Sequence, residues 1–72
     1  TSNKEKHLLY KIGKNIHARR KKLAISQEEL AKSCCINRSY LSEIEHGTRN
    51  TTLLTIYRIS IALDTSIEQL LQ

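Results

Sequence analysis

Apolar residues along this chain return at helical intervals, and nowhere do apolar and polar positions alternate in the two-residue rhythm of a strand. Residues 1–6 are polar and are expected to fray. Leu8, Leu9, Ile12, Ile16 and Leu23 follow at spacings of three, four and seven, the stripe of a first amphipathic helix. Gly13 inside it weakens the helix by about 1 kcal/mol relative to alanine, which predicts the close approach of a neighbour there. Ala24-Ile25 connects to a second helix, opened by Ser26 and by Glu29 three residues on, a capping-box pair. Its inward residues are Leu30 and Ala31, with Cys34 one turn later. Cys35-Ile36 forms a tight turn with Ile36 directed to the core, and Asn37 caps a third helix with Leu41 and Ile44 inward. Gly47 after His46 supplies a left-handed C-terminal position. The loop Thr48-Arg49-Asn50-Thr51 leads to Thr52, the N-cap of a fourth helix to about Leu63, and Ser66 opens a short fifth helix to Leu71. The pattern predicts an all-α, five-helix fold, with residues 1–72 as one domain.

The fourth helix carries more apolar surface than one core needs. Leu53, Ile56, Ile59 and Leu63 make one stripe; Leu54, Tyr57 and Ile61 make a second. A helix apolar on two sides is either buried or shared. The second stripe is expected to be a subunit interface, joined by Ile67 and Leu71; the alternative is that the first helix covers it.

Composition narrows the picture. Seventy-two residues without proline, phenylalanine, tryptophan or methionine leave leucine and isoleucine to fill a small interior, close to the size at which one core is marginal. The net charge of +5 is unevenly spread. Residues 1–25 hold eight lysines and arginines against Glu5 alone, a balance of +7; residues 26–72 hold four against six acids, or −2. Such a basic segment suits a polyanion partner through counterion release, or is simply a solvated helix face. Adjacent Cys34 and Cys35 are poorly placed to bridge each other, and no CxxC pair exists; reduced thiols are expected. Cys34 reads as a small core residue, or more sharply as a redox sensor. His7, His17 and His46 lack the spacing of metal ligands. With no glycine-rich phosphate loop, no nucleophile constellation and no apolar run of membrane-spanning length, neither enzyme, metalloprotein nor membrane protein is expected. No recognisable secretion signal is present either.

Ile16…Arg20, Ser26-Gln27-Glu28-Glu29-Leu30-Ala31, Tyr40-Leu41-Ser42-Glu43-Ile44-Glu45-His46-Gly47, Leu53-Leu54-Thr55-Ile56 and Ile59…Ala62-Leu63 together resemble the Cro and lambda-repressor-like helix-turn-helix regulators, the XRE family. The resemblance runs from Ile12 to Leu71. Within the family, Asn37-Arg38-Ser39-Tyr40-Leu41-Ser42 with Thr48-Arg49-Asn50 is similar to the controller proteins of bacterial restriction–modification systems. It implies a lambda-repressor-like domain whose third helix enters the major groove of DNA. Arg38 and Ser39 would address base edges, Arg38 gripping guanine O6 and N7, with Glu43 one turn on accepting from a cytosine amine. Gln27 would bond a phosphate and brace the start of the recognition helix, which Asn37 caps at the DNA backbone. Tyr40 and Ser42 would touch sugar-phosphate or a thymine methyl. Thr48, Arg49 and Asn50 would hold phosphates, with Arg49 alternatively reaching a base or the minor groove. Arg20 and Glu45 match a buried ion pair between the first and third helices. Two positions depart from the family: Cys35 stands where glycine or asparagine is usual, in a position that often takes positive φ, and Thr51 replaces a frequent proline.

The resemblance therefore implies a transcriptional regulator that binds DNA as a homodimer, on a pseudo-palindromic operator with half-sites about one helical turn apart. Control of restriction–modification genes is the favoured setting; a prophage-type repressor or an antitoxin is the alternative among DNA binders. A protein-interaction module that has lost DNA binding is the alternative outside them, and Arg38, Arg49 and the basic N-terminal third argue against it. RNA polymerase is a further candidate partner. No cofactor, metal or small-molecule ligand is expected, and the bacterial cytoplasm is the expected location.

Overall fold

The computed structural model describes residues 2–72 and contains five helices: α1 (Asn3–Lys22), α2 (Gln27–Ser33), α3 (Arg38–Glu45), α4 (Leu53–Ala62) and α5 (Ile67–Leu70). A side-chain oxygen starts each one. Ser2, Ser26, Asn37, Thr52 and Ser66 accept hydrogen bonds from the backbone N–H three residues on, at 2.7–3.1 Å. At α2 the Glu29 carboxylate returns the bond, accepting from the Ser26 N–H at 3.0 Å and completing the capping box. These bonds hold the Glu29 carboxyl below its ordinary pKa. Among the described residues no helix is long and apolar enough to cross a membrane.

The first four helices end alike. Ala24, Cys35, Gly47 and Asp64 have φ of 58°, 58°, 71° and 52°. The next residue's N–H donates back to the carbonyl five residues earlier: Ile25 to Arg20, Ile36 to Ala31, Thr48 to Glu43, Thr65 to Ser60, at 2.9–3.1 Å. These are Schellman closures. A left-handed residue other than glycine costs about 1–2 kcal/mol, and packing of the following side chain offsets it at two of the turns. Ile25 and Ile36 both lie against the core. Cys35 thus takes the positive φ expected of its position and closes the turn without rearrangement.

Ile16, Leu30, Cys34, Leu41, Ile59 and Leu63 are fully enclosed, and Leu70 of α5 closes one end. Several positions differ from the sequence pattern. Helix α1 begins at Asn3, so residues 3–6 are helical rather than frayed; Thr1 lies outside the described residues. Leu8 is exposed because the first turns of α1 run beyond the core, and Leu23 is exposed because it is the C-cap. Leu53 is 73% exposed, since Thr55 and Ser60 occupy the inward face of α4 beside Ile56, Ile59 and Leu63. Ile67 is half-buried against its own core. Arg19, off the apolar stripe, faces the protein: its Nε and Nη2 donate to the carbonyls of Leu63 and Asp64, both at 2.9 Å, closing the C-terminus of α4. Asn15 Nδ2 likewise donates to the Leu70 carbonyl at 2.8 Å.

Helix α1 meets the end of α3 in two ways. Gly13 lies so close that a Cβ would strike the Ile44 carbonyl oxygen and come within 2.6 Å of that of Glu45. Two turns on, Arg20 clasps the buried Glu45 carboxylate, Nε to Oε2 at 2.8 Å and Nη2 to Oε1 at 3.0 Å, while its Nη1 donates to the Ile25 carbonyl at 3.0 Å. Gln27 Nε2 donates to Oε1 at 3.2 Å, and His17 Nδ1 stands 3.0 Å from the same oxygen. Burial alone would raise the Glu45 pKa, but the hydrogen bonds from Arg20, His17 and Gln27 and the Arg20 charge outweigh it, leaving it below 4.5.

A carboxyl whose pKa is lowered by folding stabilises the fold above its unfolded value and loses that contribution as pH falls through the folded one. Stability should therefore decline below about pH 4.5. Glu45→Gln, which leaves Arg20 buried without its counter-ion, should cost about 3–5 kcal/mol at neutral pH and lose less than the parent on acidification. Urea titrations from neutral to acid pH check this; parallel pH profiles would contradict it.

Candidate nucleic-acid interface

With its C-terminal end clasped, α3 presents its opposite end to solvent. The Asn37 side chain caps that end through the Tyr40 N–H at 2.7 Å, and Arg38 and Ser39 in the first turn are exposed. Arg38, Ser39, Ser42 and Glu43 line one shallow recess with Gln27 of α2. Arg38 also borders a wider recess with Lys21, Ser26 and Glu28. All three residues expected to read bases therefore share a surface with Gln27. Gln27 is more than a surface amide, because its donation to Glu45 ties the first residue of α2 to the last of α3.

The residues after α3 form a second surface. Thr48 closes the helix, its N–H and its Oγ1 both donating to the Glu43 carbonyl, at 3.0 and 3.2 Å. Arg49 Nη1 pairs with Glu43 Oε1 at 2.8 Å, and its guanidinium lies 5.1 Å from the centre of the Tyr40 ring. Tyr40 is half-buried against the core and donates its hydroxyl to Thr51 Oγ1 at 3.3 Å, so its ring already serves the fold. Thr48, Arg49 and exposed Asn50 line a recess with Lys6 and Leu9 of α1. Gly47 permits this approach: a Cβ there would lie 2.7 Å from the Tyr10 Cα.

Lys6 is the residue that sequence reasoning missed, since the polar N-terminus gave no sign of where α1 would carry it. The basic N-terminal third is, conversely, not one uniform face. Arg19 and Arg20 are engaged inside the protein, and Lys14 lies over the Tyr10 ring at 5.9 Å. Arg38, Arg49 and Lys6 are the cations of the two recesses around α3.

Residues 16–70 match the helix-turn-helix family HTH_3. Control protein C.BamHI of Bacillus amyloliquefaciens is 49% identical over 47 residues, which cover 65% of this chain and 58% of C.BamHI. The chain thus spans less than two thirds of that relative. The restriction-modification controller protein C.AhdI from Aeromonas hydrophila superposes with a TM-score of 0.83 at 35% identity, over 86% of this chain and 94% of C.AhdI. SinR, a master regulator for biofilm formation solved in complex with DNA, matches with a TM-score of 0.79 at 35% identity, over 85% of this chain and 98% of the chain in that complex. Sequence and fold agree from the second half of α1 through α5, and the chain belongs to the HTH_3 helix-turn-helix family.

Proposed function

We propose that this protein is a dimeric, sequence-reading regulator that controls restriction–modification genes from a pseudo-palindromic operator. The observation that carries the DNA reading is the exposed first turn of α3, with Arg38 and Ser39 in one recess beside Gln27, Ser42 and Glu43. An arginine at the entering end of a helix suits the paired acceptors of guanine, and a carboxylate one turn later suits an exocyclic amine. Thr48, Asn50 and Lys6, which line the second recess, would meet backbone phosphates, which fix register without reading sequence. The likeness to C.BamHI and C.AhdI supports the restriction–modification setting. Transcription would rise or fall according to where the dimer sits relative to RNA polymerase.

The dimer reading rests on α4. Leu53, Leu54, Tyr57 and Ile61 are 51–73% exposed along its outer side, and Leu71 is 42% exposed. Helix α1 leaves this stripe uncovered, which favours a second copy of the chain as its cover. Ile67, turned to its own core, contributes at most its rim.

Selection of bound sequences from a random duplex pool at about 150 mM salt, where phosphate attraction alone is weak, should return a two-fold symmetric motif. Arg38→Ala should weaken binding by about 1–3 kcal/mol and relax preference at one base pair of each half-site; weakening that is uniform across sequences would assign it to phosphate instead. Leu54→Asp should convert a micromolar dimer to the 8.3 kDa monomer in sedimentation, and an unchanged mass would remove α4 from the interface.

A further inference from the structure

The ion pair between Glu43 and Arg49 joins two surfaces that otherwise share no residue. Glu43 belongs to the recess with Gln27, Arg38, Ser39 and Ser42, and Arg49 to the one with Lys6, Thr48 and Asn50. The backbone sets the pairing, because the two Thr48 bonds to the Glu43 carbonyl fold the loop back over the end of α3. The Tyr40 ring, anchored by its hydroxyl to Thr51, lies 5.1 Å from the guanidinium. Arg49 therefore has two partners on its own chain. Both charged groups remain about half exposed, so the pair is favoured by about fivefold or less and exchanges readily.

Resting on the DNA-binding reading above, we infer that Glu43 is a specificity-determining residue that acts through Arg49, favouring its release to a phosphate where a base supplies an amine in its place. A carboxylate can only accept hydrogen bonds. Facing cytosine N4 or adenine N6 it is satisfied, and Arg49 is free to leave for the backbone. Facing the carbonyl oxygen of guanine or thymine it meets another acceptor and keeps Arg49 as its counter-ion. One base identity then governs two contacts, and a mismatch forfeits the phosphate along with the base. The same pairing weakens non-specific binding severalfold at most, since one of the surface cations is mostly neutralised by Glu43.

A double-mutant cycle tests this by anisotropy of a short labelled duplex of mixed sequence, over about 50–200 mM salt. Glu43→Gln should tighten binding severalfold and steepen the log–log salt dependence by about 0.9, one phosphate contact. In an Arg49→Gln background the same substitution should leave the slope unchanged. Equal gains in both backgrounds would show that Glu43 merely repels phosphates by itself, overturning the inference while leaving DNA binding intact. Absence of salt-dependent binding by the parent protein would overturn the DNA reading and this inference with it. Both side chains are exposed and the Thr48 bonds reach only the Glu43 backbone, so thermal melts should show that the variants keep their fold.

Discussion

The Glu45 carboxylate accepts hydrogen bonds from α1 and α2 while sitting at the last residue of α3. Apolar burial drives the helices together but is non-directional; the bidentate Arg20 contact is short and fixes orientation. A residue that enters a DNA groove must be placed to within a fraction of an ångström, and so small a core supplies few other directional contacts. The two glycines complete the same junction. Gly13 lets the backbone of α1 touch that of α3, and Gly47 lets the following loop settle on Tyr10. A clasped end and two close approaches leave the other end of α3 as the free surface.

The turns show how a chain with two glycines and no proline ends its helices. Four Schellman closures of identical pattern rely on glycine once. Ile25 and Ile36, placed immediately after left-handed residues, convert the turn into a core contact. The helix-turn-helix therefore owes its shape to the same packing that stabilises the domain, and its Cys35 is a conformational compromise at an exposed position.

Much of this was legible in the sequence because its signals are local. Ser26 with Glu29, Asn37, Thr52 and Ser66 each act within one helical turn, and Gly47 within the next residue. Buried periodicity was also legible at Ile12, Ile16, Leu41, Ile44, Ile56, Ile59 and Leu63. Failures occurred where a side chain's fate depended on distant elements. Leu53 fits the inward period by spacing, yet small Thr55 and Ser60 turn α4 so that Leu53 faces out. Arg19 looks like surface charge until the end of α4 arrives beside it. Left-handed Ala24 carries no compositional flag, and Asp64 only the weak preference of aspartate for positive φ. In the candidate site the expected base-reading residues do share one recess, but the Glu43–Arg49 pair, the Tyr40–Thr51 bond and the approach of Lys6 depend on how the loop folds back. No spacing rule announces that.

On the proposed function, DNA meets the N-terminal face of α3 and the loop after it, leaving the apolar side of α4 for a second copy of the chain. Backbone amide shifts, followed during titration with a mixed-sequence duplex at about 50 mM salt where non-specific attraction is strong, test it most directly. The largest changes should fall on Arg38, Ser39, Glu43 and the loop Thr48 to Asn50, with Leu54, Tyr57 and Ile61 unmoved. Changes centred on α4, with the first turn of α3 silent, would contradict it.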